Sequence, residues 1–166
     1  LALCAAFFLA ACADLNDDPA PMTEICAAGI YDSSPPCPLA YDDSALTEEH
    51  REVSLSVRNT LEAETRINLF DDLGLPVWLT YNANLQSIGT AFNNGDIEIL
   101  HLDYDIDCVP PHYQLTLSNL LLHEYGHAIG LSHNSEPDSI MLVEVSIYDC
   151  QSPSENDIQR IENLWR

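Results

Sequence analysis

The stretch HEYGHAIGLSH, which occupies residues 123–133, decides how the rest of the sequence is interpreted. His123 and His127 stand four residues apart, so on a helix both imidazoles lie on one face, one turn apart, and can share a metal ion. Gly130 then permits a sharp change of backbone direction, which brings His133 back as a third ligand. Three protein ligands with one open position are typical of a catalytic zinc site, whereas structural zinc sites are closed by four.

Glu124 stands next to the first histidine, too close in sequence to be the usual third ligand but well placed to reach a water on the metal. Zinc lowers the pKa of such a water to about 7. Glu124 can then take the proton as the water attacks a carbonyl carbon, and pass it to a leaving amine. The alternative is a core helix that carries histidines by chance, and the added Gly130 and His133 at fixed offsets argue against it.

The stretch resembles the long motif of the metzincin metallopeptidases, H-E-x-x-H-x-x-G-x-x-H. Met141 stands eight residues after His133, a spacing similar to that of the Met-turn, the hydrophobic floor beneath the zinc, in the matrixin branch. Ser154–Ile161 resembles the start of the matrixin C-terminal helix. The resemblance covers about residues 38–166 and implies an α+β, metzincin or zincin-like catalytic domain, with a twisted mixed β-sheet packed on two helices plus a C-terminal helix.

The resemblance also implies the function of a zinc-dependent endopeptidase that acts on protein or peptide substrates. In such an enzyme His123, His127 and His133 bind Zn²⁺, and Glu124 is the general base and then the acid. The family binds its substrate as an extra strand along an antiparallel edge strand, and the predicted strand at residues 88–92 is similar in position and direction. Two alternatives are a catalytically inactive, zinc-containing surface protein that acts by binding, and a hydrolase of small peptides or other amides.

Two positions depart from the matrixin pattern. Asn134 follows the third histidine, where matrixins commonly have Ser, and Val143 stands where they commonly have Pro. Astacins and serralysins carry a Tyr ligand at the latter position, which Val143 cannot replace. Because this part of the family shapes the pocket for the residue after the cut, the resemblance does not extend to side-chain preference.

Periodicity and turn residues predict the elements around the metal stretch. The expected strands are residues 39–41, 76–81, 88–92 and 96–102, and Asn-Gly between the last two predicts a hairpin. The expected helices are residues 47–68, 115–129 and 155–165. The first helix places its apolar face on Val53, Leu55, Val57, Leu61 and Ile67. Trp78, Trp165 and Tyr125 are expected to be packing residues.

The first residues indicate export. Residues 1–12 are apolar, too short to span a bilayer, and resemble the end of a secretory signal whose basic start is missing from this sequence. Leu9–Cys12 resembles a bacterial lipobox, so Cys12 is the predicted lipidation site and a lipid anchor the predicted link to the cell envelope. Ordinary signal cleavage with free secretion is the alternative. Residues 13–37, rich in Asp, Pro, Ser and Ala, are interpreted as a flexible tether or short pro-segment.

Four further cysteines fit an oxidising compartment. We favour the pairs Cys26–Cys37 and Cys108–Cys150 among three possible pairings. The alternative is a latency switch in which Cys26 or Cys37 is a removable zinc ligand, although neither lies in a sequence typical of such switches.

The net charge of −22, with five basic residues, excludes nucleic acid as a partner and disfavours an anionic lipid surface. Calcium binding is a second cofactor hypothesis, and a solvated acidic surface is the alternative. The carboxylates concerned are Asp96, Asp103, Asp105 and Asp107. His50, His101 and His112 lack matched spacing and are predicted to lie on the surface or the cleft rim. We expect a monomer.

Overall fold

The computed structural model describes residues 37–72, 74–92, 94–102, 104, 116–143 and 151–166. Four strands form a mixed sheet in the order β1-β2-β4-β3. The strands are β1 (Leu39–Asp42), β2 (Leu75–Tyr81), β3 (Gly89–Ala91) and β4 (Ile97–Ile99). The first two pairs of neighbours are parallel, and β3 runs antiparallel to β4, so β3 is an edge strand among the described residues. The chain has the predicted α+β fold.

Three helices accompany the sheet: α1 (Glu48–Thr65), α2 (Leu117–Ala128) and α3 (Glu155–Trp165). The central helix α2 packs against α1 on one side and against β3 and β4 on the other, while α3 packs on α1. Within the described residues, no helix combines the length and apolar character that crossing a bilayer requires.

The hairpin between β3 and β4 forms as predicted. The amide of Phe92 donates to the carbonyl of Asp96 at 2.8 Å, and Gly95 takes a φ of 89°, which favours glycine because it has no β-carbon. The sheet and α2 enclose the apolar core, in which Tyr125 is fully buried and meets the ring of Tyr41 edge-on. Trp165 is also buried, as expected.

The first helix ends three residues before the predicted end at residue 68. Arg66 takes a left-handed conformation with a φ of 56°, while its amide still donates to the carbonyl of Glu62. One carboxylate oxygen of Glu62 accepts the amides of Leu69 and Phe70, so the chain folds back along the helix end. The helix therefore ends before the breaker that follows it in sequence, and a glutamate of its own last turn holds the chain that turns back.

Two predicted core residues lie on the surface. Leu55 is 52% exposed because it follows Val53 by two residues, about 200° around a helix, and so leaves the apolar face. Trp78 is 50% exposed because Val77 and Leu79 face the core on alternate positions of β2. Hydrophobicity alone predicted burial for both, and the geometry of the element decided otherwise.

The predictions for the first residues and for the cysteines concern positions outside the described part of the chain, except for Cys37, which is partly buried. The lipidation of Cys12, the tether at 13–37 and the pairs Cys26–Cys37 and Cys108–Cys150 therefore stay predictions.

Candidate metal centre

Two of the three predicted ligands are fixed by α2. His123 is fully buried, and its Nδ1 lies 2.7 Å from the carbonyl oxygen of Ile140. His127 lies one turn further along, with its Nδ1 2.9 Å from the carbonyl oxygen of Leu131. A carbonyl oxygen only accepts hydrogen bonds, so each Nδ1 carries the proton and each Nε2 presents a lone pair.

The third ligand comes from the turn after α2. Gly130 has a φ of 102°, a left-handed conformation in which a β-carbon would be strained. The amide of Leu131 donates to the carbonyl of Gly126 at 2.8 Å, so the chain reverses tightly at the helix end. His133 thereby returns to the side of the helix that carries His123 and His127.

The three Nε2 atoms converge. That of His127 lies 3.1 Å from those of His123 and His133, and the last two lie 3.2 Å apart. The contact between His123 and His127 cannot be a hydrogen bond, since both Nε2 atoms are acceptors. Converging lone pairs require a cation, and a tetrahedral zinc site with Zn–N distances of about 2.0–2.1 Å separates its nitrogens by about 3.3–3.4 Å. The three residues fit a zinc ion.

The protonation state of His123 suits a ligand. Burial, and to a lesser extent the neighbouring His127, lowers the pKa of His123 to about 3. A histidine whose pKa is lowered in this way stays neutral at neutral pH, and neutral imidazole is the form that binds metals. Among the described residues, these three histidines are the group of potential ligands whose donor atoms come together.

Glu124 lies under the edge strand of the sheet. Its side chain is fully buried, and β3 passes so close that a β-carbon on Gly89 would lie 2.5 Å from one carboxylate oxygen. The absence of a side chain at position 89 therefore leaves the space that the carboxylate occupies. The carboxylate of Glu124 therefore lies near the three histidines and directly beneath β3.

Met141, the predicted floor of the site, lies against α2. It is fully buried, and its sulfur packs on Gly126, where a β-carbon would lie 2.3 Å from it. Glycine in this turn of α2, between the two helical ligands, allows the methionine to pass beneath them. Asn134 holds the turn before Met141 together. Its backbone amide donates to the carbonyl of Met141, and its side-chain amide donates to the hydroxyl of Ser139.

The C-terminal helix α3 holds this floor in place through Asp157. This buried carboxylate accepts the hydroxyl of Ser139 at 2.5 Å and the amide of Ile140 at 3.0 Å. It also accepts the amide and hydroxyl of Ser154, at the start of the same helix. Because the carbonyl of Ile140 binds His123, Asp157 orients a candidate metal ligand through a single residue.

Two further residues of α3 bind the turn that carries the third ligand. Arg160 donates to the carbonyl of Ser132 at 2.6 Å, immediately before His133. The indole of Trp165 donates to the carbonyl of Ile129 at 2.9 Å and so satisfies a carbonyl at the end of α2. One helix thus contacts the floor, the turn and the helix end that together shape the centre.

We expect Asp157→Asn to lower the free energy of unfolding by about 2–4 kcal/mol. The amide nitrogen of Asn would face donors that now meet a carboxylate oxygen, which leaves buried donors unsatisfied. Denaturation by urea measures the change. Glu155→Gln, the same substitution at an exposed position of the same helix, should change stability by less than about 0.5 kcal/mol. Equal stability of the two variants would contradict the role given to Asp157.

The two other described histidines differ in burial. His50 was expected on the surface, but it is only 8% exposed, because α1 presses it against Tyr81 and Tyr104. Its Nδ1 lies 2.6 Å from the hydroxyl of Tyr81, and burial lowers its pKa. His101 is exposed, as predicted, and His112 lies outside the described residues.

The calcium hypothesis gains no support. Asp96 uses one carboxylate oxygen to accept the amide of Trp78 and the other to accept the side chain of Asn94. It therefore organises the hairpin. Asp103, Asp105 and Asp107 lie outside the described residues.

Three residues of the site were not found by sequence reasoning: Gly89, Asp157 and Arg160. Gly89 sits in a plain strand sequence, and only the approach of α2 reveals its importance. Asp157 stands three residues after Ser154, a spacing that indicates a helix cap, and the cap is present. That spacing carries no sign of the second set of bonds to the methionine segment, which depends on tertiary structure.

The chain was compared with models of known protein families and with curated proteins. The sequence model of the family described as Matrixin matches residues 44–166. A search of the curated proteins gives no match. The matched range contains all three helices, the three histidines, Glu124 and Met141.

Proposed function

The chain belongs to the matrixin family, and on that premise we propose that it is a zinc-dependent endopeptidase whose metal is held by His123, His127 and His133. The observation that carries the proposal is the convergence of three histidine Nε2 atoms, 3.1–3.2 Å apart, beside the buried carboxylate of Glu124. The family supports a metallopeptidase with zinc, and the geometry supports the assignment of individual residues.

Zinc held by the three histidines would supply Lewis-acid chemistry, which would lower the pKa of a bound water to about 7. Glu124 receives the proton of the attacking water and delivers it to the nitrogen of the broken peptide bond. The buried setting of Glu124, beside Gly89, holds the carboxylate in one place while the proton moves. Met141 and Asp157 support the three histidines from the floor of the site.

Substrate binding is assigned to β3. Within the described residues, β3 pairs with β4 on one side only, so its other edge can take a further strand, and there the carbonyl of Gly89 accepts the hydroxyls of Ser87 and Thr90. A substrate in extended conformation can add there as a further strand through main-chain hydrogen bonds. Glu124 lies beneath β3, so a peptide bond of the bound substrate would lie close to the Glu124 carboxylate. Such a site favours long chains over single amides.

A direct comparison of substrates tests the proposal. The zinc-loaded full chain should cleave an unfolded protein such as reduced casein at internal bonds, and should act far more slowly on blocked dipeptides. A strong zinc chelator should stop the cleavage. Faster cleavage of dipeptides would favour a hydrolase of small amides. Bound zinc with cleavage of neither substrate would favour a catalytically inactive protein that acts by binding.

We expect Gly89→Ala to lower the turnover of the unfolded protein by about 10–100-fold, because a displacement near 1 Å of a catalytic group has effects of that size. The new β-carbon would lie 2.5 Å from the Glu124 carboxylate and 2.9 Å from a methyl of Leu120, so one of them must move. Steady-state cleavage rates and zinc content measure the result, and zinc content should not change.

The control for this variant is Ala91→Ser, which adds one heavy atom two residues further along β3. It should retain turnover within about two-fold, as conservative changes away from special contacts usually do. Normal turnover in Gly89→Ala would show that β3 does not fix the position of Glu124.

A further inference from the structure

A groove of about 670 Å³ lies on the face of the sheet opposite α2. Trp78 and Phe92 line it and are 50% and 37% exposed. Trp78 points into the groove because its neighbours in β2 face the core on the other side. Two large aromatic side chains exposed in one concave surface are a feature of binding sites rather than of an ordinary solvated face.

Three carboxylates lie near Trp78 in the sheet. Asp42 is the partner of Trp78 across β1 and β2, and Asp96 accepts the amide of Trp78 on the other side at 2.8 Å. Glu98 lines the groove in the next row of the sheet, where it pairs with Thr80 and Thr90. The residues that line the groove include no basic side chain.

The two carboxylates of the groove are held in fixed positions without losing their charge. Asn94 donates to Asp96, and Asn82 donates to Glu98, each at 2.6 Å, and both donors are neutral amides. Among the described residues, the ion pairs involve other acids. The groove therefore keeps an uncompensated negative charge next to an aromatic face.

We propose that this groove binds an arginine- or lysine-bearing segment of a protein partner. An aromatic face attracts a cation through its quadrupole, and neighbouring carboxylates accept the N–H groups of that cation. Trp78 is the stacking surface, and Asp96 and Glu98 are the acceptors. The proposal concerns binding on the face away from the metal and does not depend on the peptidase activity.

The charge of the chain indicates that the partner is a different molecule. Residues 1–50 contain no Lys or Arg, so this stretch supplies no guanidinium or ammonium group to the groove. A second copy would bring a net charge of −22 against the same charge. A basic segment of another protein has the complementary charge.

Binding is measured on the full chain carrying Glu124→Gln, so that a peptide is not cleaved during the measurement. The probes are a short peptide rich in Arg and the same peptide with Gln in place of Arg. The Arg peptide should bind, with affinity falling as salt rises, and the Gln peptide should not. Trp78→Ala and Glu98→Gln, added singly, should each weaken binding about 5-fold or more. Isothermal calorimetry gives the affinities.

The control is Glu64→Gln, which removes the same charge from an exposed position on α1. It should leave the affinity unchanged. Equal affinities in the Trp78, Glu98 and Glu64 variants would show general attraction to an acidic protein and overturn the proposal. Equal binding of the Gln peptide would do the same. Self-association that Trp78→Ala abolishes, seen by sedimentation, would assign the groove to a second copy instead.

Discussion

Glu124→Gln should lower the turnover of an unfolded protein substrate by about 10²–10⁴-fold, the usual contribution of general acid–base catalysis. Glutamine has the shape of glutamate, so the buried position beneath Gly89 stays filled. Its amide cannot take a proton from the attacking water. The zinc content of the variant should equal that of the parent, because Glu124 is not among the three converging ligands.

The measurement combines cleavage rate, zinc content and urea denaturation on the same preparations. Glu52→Gln, at an exposed position of α1, is the matched control and should retain the parental rate. A Glu124→Gln variant that still cleaves within a few-fold of the parent would remove Glu124 from the mechanism. Loss of both zinc and activity would instead make the residue part of the metal site.

His127→Ala should weaken zinc binding by more than about 10²-fold, since loss of a supporting residue alone can cost 10–100-fold. Its Nε2 lies 3.1 Å from those of both other ligands, so its removal leaves two nitrogens and a wider opening. Cleavage should fall to background at zinc concentrations that saturate the parent. Competition with a coloured chelator gives the affinity.

His101→Ala is the control for this variant, because His101 is an exposed histidine that stacks edge-on with Tyr81 at a centroid distance of 4.5 Å. It should bind zinc as the parent does. If His127→Ala kept the parental zinc affinity, the ion would be bound elsewhere, and the assignment of the centre would be wrong.

The metal centre could be predicted because most of its geometry is local. His123 and His127 are brought together by one helical turn, and Gly130 returns His133 within six residues of His127. The position of Met141 followed from its spacing after His133 and from the resemblance. These relations depend on backbone geometry that the sequence spacing already contains.

The parts that sequence reasoning missed depend on contacts between distant segments. Gly89 matters because β3 crosses Glu124, and Asp157 matters because α3 reaches Ser139 and Ile140. The early end of α1 depends on Glu62 and the chain that returns to it. No periodicity or turn motif encodes such approaches.

The two misplaced core residues have a different origin. The positions of Leu55 and Trp78 follow from the 3.6-residue and two-residue periods of their elements. Applying those periods residue by residue, with Val57 and Leu79 as the buried reference positions, places both side chains outside. For Trp78 the exposure has a consequence, because it supplies the aromatic surface of the acidic groove.

The central claim is that a single zinc ion on the three histidines makes the chain an endopeptidase. Titration of the metal-free full chain with zinc, with cleavage of reduced casein followed at each addition, tests it most directly. We predict no cleavage without metal, and a rate that rises in proportion to bound zinc and levels off at one ion per chain. Cleavage by the metal-free chain, or a fully zinc-loaded chain that leaves casein intact, would contradict the account.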